Sequence, residues 1–254
     1  MSIAPEPAAS PRARDLAEPL LATAAIILLA LITPRLESFL PWLGDFSAGA
    51  LAVGMLLIPL FAGRLFHHES DPASPWTLSR RGAILLLLAI AVAWPLFFAA
   101  FLFFHGALAH APADSLLAWA RQALLPNGAR WLGLAGGRLR LPDDFLALAL
   151  TQVIVVAIPE EYFFRGYLLG RFEQRWPSRH SFLGGKVGWP LLASALLFGL
   201  GHALAGLAPS RFAVAVPALF FGWMRAASGS LLPGALFHAL CNLFAATLYA
   251  SFFA

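Results

Sequence analysis

The chain has 254 residues, 60% of them hydrophobic and 12% charged, with a mean hydropathy of +0.76. A soluble domain has about 45–50% apolar and about 25% charged residues, so this composition excludes an ordinary water-soluble globule. The formal net charge of +4 does not point to nucleic acid, because the arginines lie in short connectors between apolar stretches and not on one continuous basic face.

A bilayer core is crossed by roughly 20 apolar residues in helical form. Seven runs approach that length: Pro19 to Thr33, Ser47 to Phe66, Ile84 to His105, Phe145 to Tyr167, Val187 to Ala205, Arg211 to Arg225 and Leu231 to Phe253. The expected fold is therefore all-α, a polytopic membrane bundle of about seven transmembrane helices. Residues 1–17 read as a cytoplasmic tail, 18–144 as N-terminal spans and loops, and 145–254 as the core that carries chemistry. The first run resembles a secretory leader preceded by Arg12 and Arg14, but no small-x-small site precedes Pro34 and Arg35, so it reads as an uncleaved span. Arg12 and Arg14, the Arg64 to Arg81 connector, the Arg171 to Lys186 connector and Arg225 fall on one side, which places the N-terminus in the cytoplasm. Lys186 is the only lysine, a bias that fits a GC-rich bacterial host and hence a bacterial cytoplasmic membrane. Ala118 to Arg140 mixes arginine and leucine ahead of Gly136-Gly137, as an interfacial helix or an irregular loop would.

From Phe145 onward there are three carboxylates, Glu160, Glu161 and Glu173, and the first two follow Ile-Val-Val-Ala-Ile-Pro inside an apolar run. An ionisable group at a span's centre costs about 2.5–3.5 kcal/mol on insertion scales, so both need partners or a function. Glu161 and Arg165 stand at i,i+4 in the order that favours an ion pair. Glu160 is rotated about 100° from them and is left for another partner. His202 stands alone in the fifth run, and His238 and Asn242 share one face of the last. Each could serve only to join helices by hydrogen bonds. Together, however, one carboxylate, two imidazoles and one carboxamide are able to activate a water and stabilise an oxyanion, hydrolysing an acyl bond without a covalent intermediate.

Other protease chemistries lack their residues. No aspartate follows Asp144, no H-E-x-x-H occurs, and the lone Cys241 excludes both an intrachain disulfide framework and a Cys-based zinc site. Ala227-Ser228-Gly229-Ser230 lacks the G-x-S-x-G elbow and reads as a turn between the last two helices. A Glu/His metal site is left open as a variant of the hydrolytic reading.

Three motifs in order, Glu160-Glu161-Tyr162-Phe163-Phe164-Arg165, Phe198 to His202, and His238 to Asn242, resemble those of the intramembrane glutamic protease family. That family includes the type II CAAX prenyl endopeptidases and bacterial bacteriocin-processing or immunity factors. The resemblance covers Gln152 to Phe244. It implies Glu160 as the water-activating base with His202 assisting, and His238 with Asn242 as oxyanion or water-positioning groups. Glu161 and Arg165 would support the site, with no cofactor and no obligatory metal. Its expected partners are membrane lipids and a membrane-anchored protein or peptide cleaved near its C-terminus, with no nucleic acid; nothing in the sequence speaks to oligomeric state. A non-catalytic immunity or scaffold protein of the same fold, and a transporter, are the other classes a polar cluster of this kind allows. With the span boundaries above, Glu160 and His202 differ in depth by about 10 Å. A shared site therefore requires the Glu160 helix to run well past Tyr167 or to kink at Pro159.

Overall fold

A computed structural model of the chain describes residues 14–39, 44–65, 76–112 and 130–254. The N-terminal tail and most of the stretch expected as an interfacial helix, Ala118 to Arg140, lie outside them; of the latter a single helical turn is described, Gly133–Gly136 (α4). Among the described residues three helices precede it: α1 (Arg14–Phe39), α2 (Gly44–Leu65) and α3 (Arg80–Ala109). After it α5 runs unbroken from Phe145 to Arg175, a span of 31 residues. A short antiparallel hairpin follows, β1 (His180–Phe182) with β2 (Gly185–Val187), then α6 (Trp189–Ala205), a 3-10 turn (Pro209–Val214), α7 (Ala215–Ser228) and α8 (Leu232–Phe252).

Among the described residues four helices are long and apolar enough to cross a membrane: Leu16–Leu36 of α1, then α3, α5 and α8. Shorter apolar stretches are Ala48–Ala62 of α2 and Trp189–Ala205. The expected sixth span, Arg211 to Arg225, is divided: its first part forms the 3-10 turn and α7 keeps 14 residues. The result is an all-α membrane bundle whose spans are of unequal length, with one small hairpin that the apolar pattern did not announce.

Side chains that face lipid need no polarity, and α3 shows this plainly. Leu87, Val92, Leu96 and Phe103 are all exposed along it. Its start is set by Ser79, whose Oγ accepts from Gly82 N at 3.0 Å and so satisfies one of the first-turn amides. The interior centres on α5, where Phe163, Phe164, Tyr167, Leu168 and Phe172 pack with Ala22 and Ile26 of α1, Met55 of α2, Phe198 of α6 and Ala218 of α7. Close helix approach depends on glycine. A Cβ on Gly54 would lie 2.8 Å from Leu29 Cδ2, and one on Gly199 would lie 2.8 Å from the backbone oxygen of Phe212.

α5 does what a shared site required of it, extending two turns beyond Tyr167. It is also widened on either side of the glutamates, with π-helical stretches at Gln152–Ala157 and Tyr162–Leu168 flanking one α-helical turn, Ile158–Glu161. Proline in a helix interior lacks an N–H and collides with the carbonyl four residues back. A π turn ahead of Pro159 relieves that crowding without breaking the helix.

Candidate active site

The single α-helical turn between the two π stretches holds Glu160 and Glu161 on the side of α5 that meets α7 and α8. Their surroundings differ. Glu161 is 1% exposed, and its Oε1 lies 3.0 Å from Arg165 Nη1 as an ion pair. The same oxygen accepts a hydrogen bond from His238 Nδ1 at 3.1 Å. Arg165 is itself held on every side. Its Nη2 donates to Ala218 O at 3.3 Å, and its guanidinium carbon lies 4.4 Å from the ring centre of Phe198 and 5.1 Å from that of Phe221. These cation–π contacts compensate a buried charge where hydrogen bonds are few.

Glu160 keeps 9% of its surface exposed. Its Oε2 is buried, has no hydrogen-bond partner among the described residues, and lies 3.7 Å from His238 Nε2. His238 thus stands between the two glutamates, its ring stacked on Phe221 with centroids 4.7 Å apart and planes 13° apart. Because a carboxylate only accepts, the contact with Glu161 assigns the proton to Nδ1, and a neutral His238 turns an accepting Nε2 toward Glu160. Two acceptors facing one another at this distance is an arrangement that calls for a proton or a donor between them.

Asn242, one helical turn beyond His238 on α8, donates through Nδ2 to Gln152 Oε1 at 2.8 Å. Gln152 opens the first π stretch of α5 and was not singled out from the sequence. Its signal was available: an uncharged polar side chain inside an apolar run. His202, on α6, is half-buried, and its Nδ1 lies 3.0 Å from Phe198 O. A carbonyl also only accepts, so Nδ1 carries the proton here too and Nε2 is the free acceptor. The structure therefore brings Glu160, Glu161, Arg165 and His238 together, with Asn242 alongside. It joins His202 to them through Phe198, whose ring packs on His202 at 4.3 Å and edge-on to His238 at 6.1 Å.

The serine-rich turn is structural. Ser228 Oγ donates to Met224 O, and Ser230 Oγ donates to Thr77 O at 2.7 Å while accepting from Thr77 N. Gly229, at φ +71, closes α7. Among the described residues no group of three or more His, Cys, Asp or Glu side chains is arranged to hold a metal ion.

Residues 142–244 match the family described as type II CAAX prenyl endopeptidase Rce1-like. No curated protein and no solved structure matches the chain. The matched segment opens just before α5, closes within α8, and contains Glu160, Glu161, Arg165, His202, His238 and Asn242. Within a multi-pass helical membrane protein, the segment from just before α5 into α8 is thus similar to the Rce1-like type II CAAX prenyl endopeptidases.

Proposed function

We propose that the chain is a glutamate-dependent intramembrane endopeptidase, with residues 145–254 as its catalytic core. It would hydrolyse a peptide bond near the C-terminus of a membrane-anchored protein or peptide. The observation that supports this most is the pair of facing acceptors, Glu160 Oε2 and His238 Nε2, 3.7 Å apart within the family-matched segment. A water that donates one hydrogen to each is held and polarised at once. Glu160 takes the proton as the water oxygen attacks the scissile carbonyl carbon, and the negative charge gathers on the carbonyl oxygen. Asn242 has a second amide N–H beyond the one given to Gln152, and it serves that oxyanion. Collapse breaks the C–N bond as the proton on Glu160 passes to the leaving nitrogen, giving a carboxylic acid and an amine. His202 takes the assisting role, with an unprotonated Nε2. Glu161 and Arg165 hold His238 in the tautomer and orientation the scheme needs. The arginine distribution supports a cytoplasmic N-terminus, and the single lysine, Lys186, a bacterial inner membrane.

The test is processing of membrane-anchored precursors by wild type, Glu160→Gln and His202→Ala in matched membranes. Glu160→Gln keeps the size of the side chain and removes the base. It should abolish processing at an unchanged protein level, and His202→Ala should slow it. Normal processing by Glu160→Gln would overturn the scheme.

A further inference from the structure

At the end of α5 the connector to α6 folds back as the β1–β2 hairpin, and beneath it lies a cavity of about 690 Å³ that is separate from the glutamate site. Its walls carry three basic side chains, Arg175, Arg179 and His180, and two tryptophans, Trp176 and Trp189, with Gly188 at the start of α6. Among the described residues no carboxylate lines the cavity. From Phe145 onward the chain has only Glu160, Glu161 and Glu173. The first two are engaged with His238 and Arg165, and Glu173 pairs with Arg225 at 2.7 Å. Among the described residues neither Arg175 nor Arg179 has an ion-pair partner, and the recorded contact of Arg175 is with the ring of Trp176, 5.5 Å from its centre.

The rest of the cavity has the same polarity. Gly188 offers no side-chain cap to the first turn of α6, a helix of 17 residues, so that turn's free N–H groups add partial positive charge. Behind this wall, Ser178 Oγ is enclosed without a hydrogen-bond partner among the described residues. It would lie 3.5 Å from a Cβ placed on Gly188. The rim, in contrast, is apolar and exposed: Trp189 is 76% exposed and Trp176 41%. Tryptophans around a cationic recess, at the end of a transmembrane helix, are features of the lipid headgroup layer.

We propose that this cavity binds the phosphate of an anionic phospholipid headgroup. Arg175 and Arg179 are its main ligands, planar donors suited to a phosphate. The bound lipid joins the end of α5, which carries Glu160, to the beginning of α6, which carries His202. The exposed rim favours a lipid over free phosphate, since acyl chains leaving the site would cover Trp176 and Trp189.

The experiment places the full chain in nanodiscs of phosphatidylcholine, with or without phosphatidylglycerol, and in phosphatidylcholine discs with inorganic phosphate added. Thermal unfolding is followed for wild type and for the Arg175→Gln/Arg179→Gln double variant. Phosphatidylglycerol should raise the wild-type Tm, inorganic phosphate should not, and the double variant should lose the rise. A rise retained by the double variant overturns the site, and an equal response to inorganic phosphate overturns the lipid as its occupant. A second readout needs no variant: phenylglyoxal labelling of wild type, mapped peptide by peptide. Phosphatidylglycerol should slow modification of Arg175 and Arg179 several-fold while leaving exposed Arg138 unchanged. Equal labelling in both kinds of disc would also overturn the assignment.

Discussion

Glu160 and Glu161 are neighbours in the chain and opposites in setting. Glu161, with Arg165 and His238 on one oxygen, is the kind of buried pair whose loss leaves an uncompensated charge, at about 3–5 kcal/mol. Glu161→Ala should therefore lower the unfolding midpoint in detergent and reduce processing with it. Glu160→Gln should leave the midpoint near wild type while processing stops, so the two adjacent variants separate stability from chemistry. Gln152 gives a finer test. Gln152→Leu removes the acceptor that orients Asn242, a net hydrogen bond of about 1 kcal/mol, and should lower kcat by about 5- to 10-fold with little change in KM. At this scale the Glu161–Arg165 pair and the common face of His238 and Asn242 were legible, because helical spacing alone decides them. The partner of Glu160 was not. It depends on how α8 is rotated against α5, which no spacing within one helix reports.

For the elements, hydropathy located the apolar runs well and their ends poorly. The apolar run of α5 ends near Tyr167, yet pairing of Arg171 with Glu18 and of Glu173 with Arg225 lets the helix continue. The π stretches left no trace in composition, since an extra residue per turn changes no side chain's polarity. They set the rotation of everything downstream. Deleting Val155 should convert the first π stretch to an α turn and rotate Gln152 by about 100° relative to Glu160. The expected outcome is loss of processing by a protein that still inserts, with a disulfide between Cys introduced at 152 and at 242 no longer forming. Helix contact on the other side of the site rests on Gly199, where a methyl would meet the backbone of the 3-10 turn. Gly199→Ala should destabilise by about 1–3 kcal/mol, read from unfolding in mixed micelles.

As a whole molecule the bundle is tied together by a contact that the sequence places at the margin. Glu18, just ahead of the first apolar run, is fully buried in the structure. Its Oε1 lies 3.3 Å from Arg171 Nη2 and accepts from Tyr167 Oη at 3.2 Å, fastening α1 to the distal part of α5. Glu18→Ala should strand Arg171, destabilise by about 3–5 kcal/mol, and make the α1 region the first site of proteolytic nicking. The number of spans was the least legible property. A run of 15 apolar residues is equally a short span, a half-span or a buried helix, and only packing distinguishes them.

The unequal helix lengths bear on the lipid as well as on the protein. α3 and α5, with 30 and 31 residues, are each about 45 Å long, whereas α6, with 17, is about 26 Å, against a hydrocarbon core of about 30 Å. The long helices meet this by tilting; the short one can only draw the two leaflets together beside it. Where α6 crosses the bilayer, the membrane is thinner beside the helix that carries His202 than beside α3 or α5, and the anchored substrate proposed above would leave hydrocarbon over a shorter path there. For the proposed endopeptidase, acyl-chain length thereby becomes a variable of the reaction: in thick membranes the depression deepens at an elastic cost, and turnover should fall even though no residue has changed.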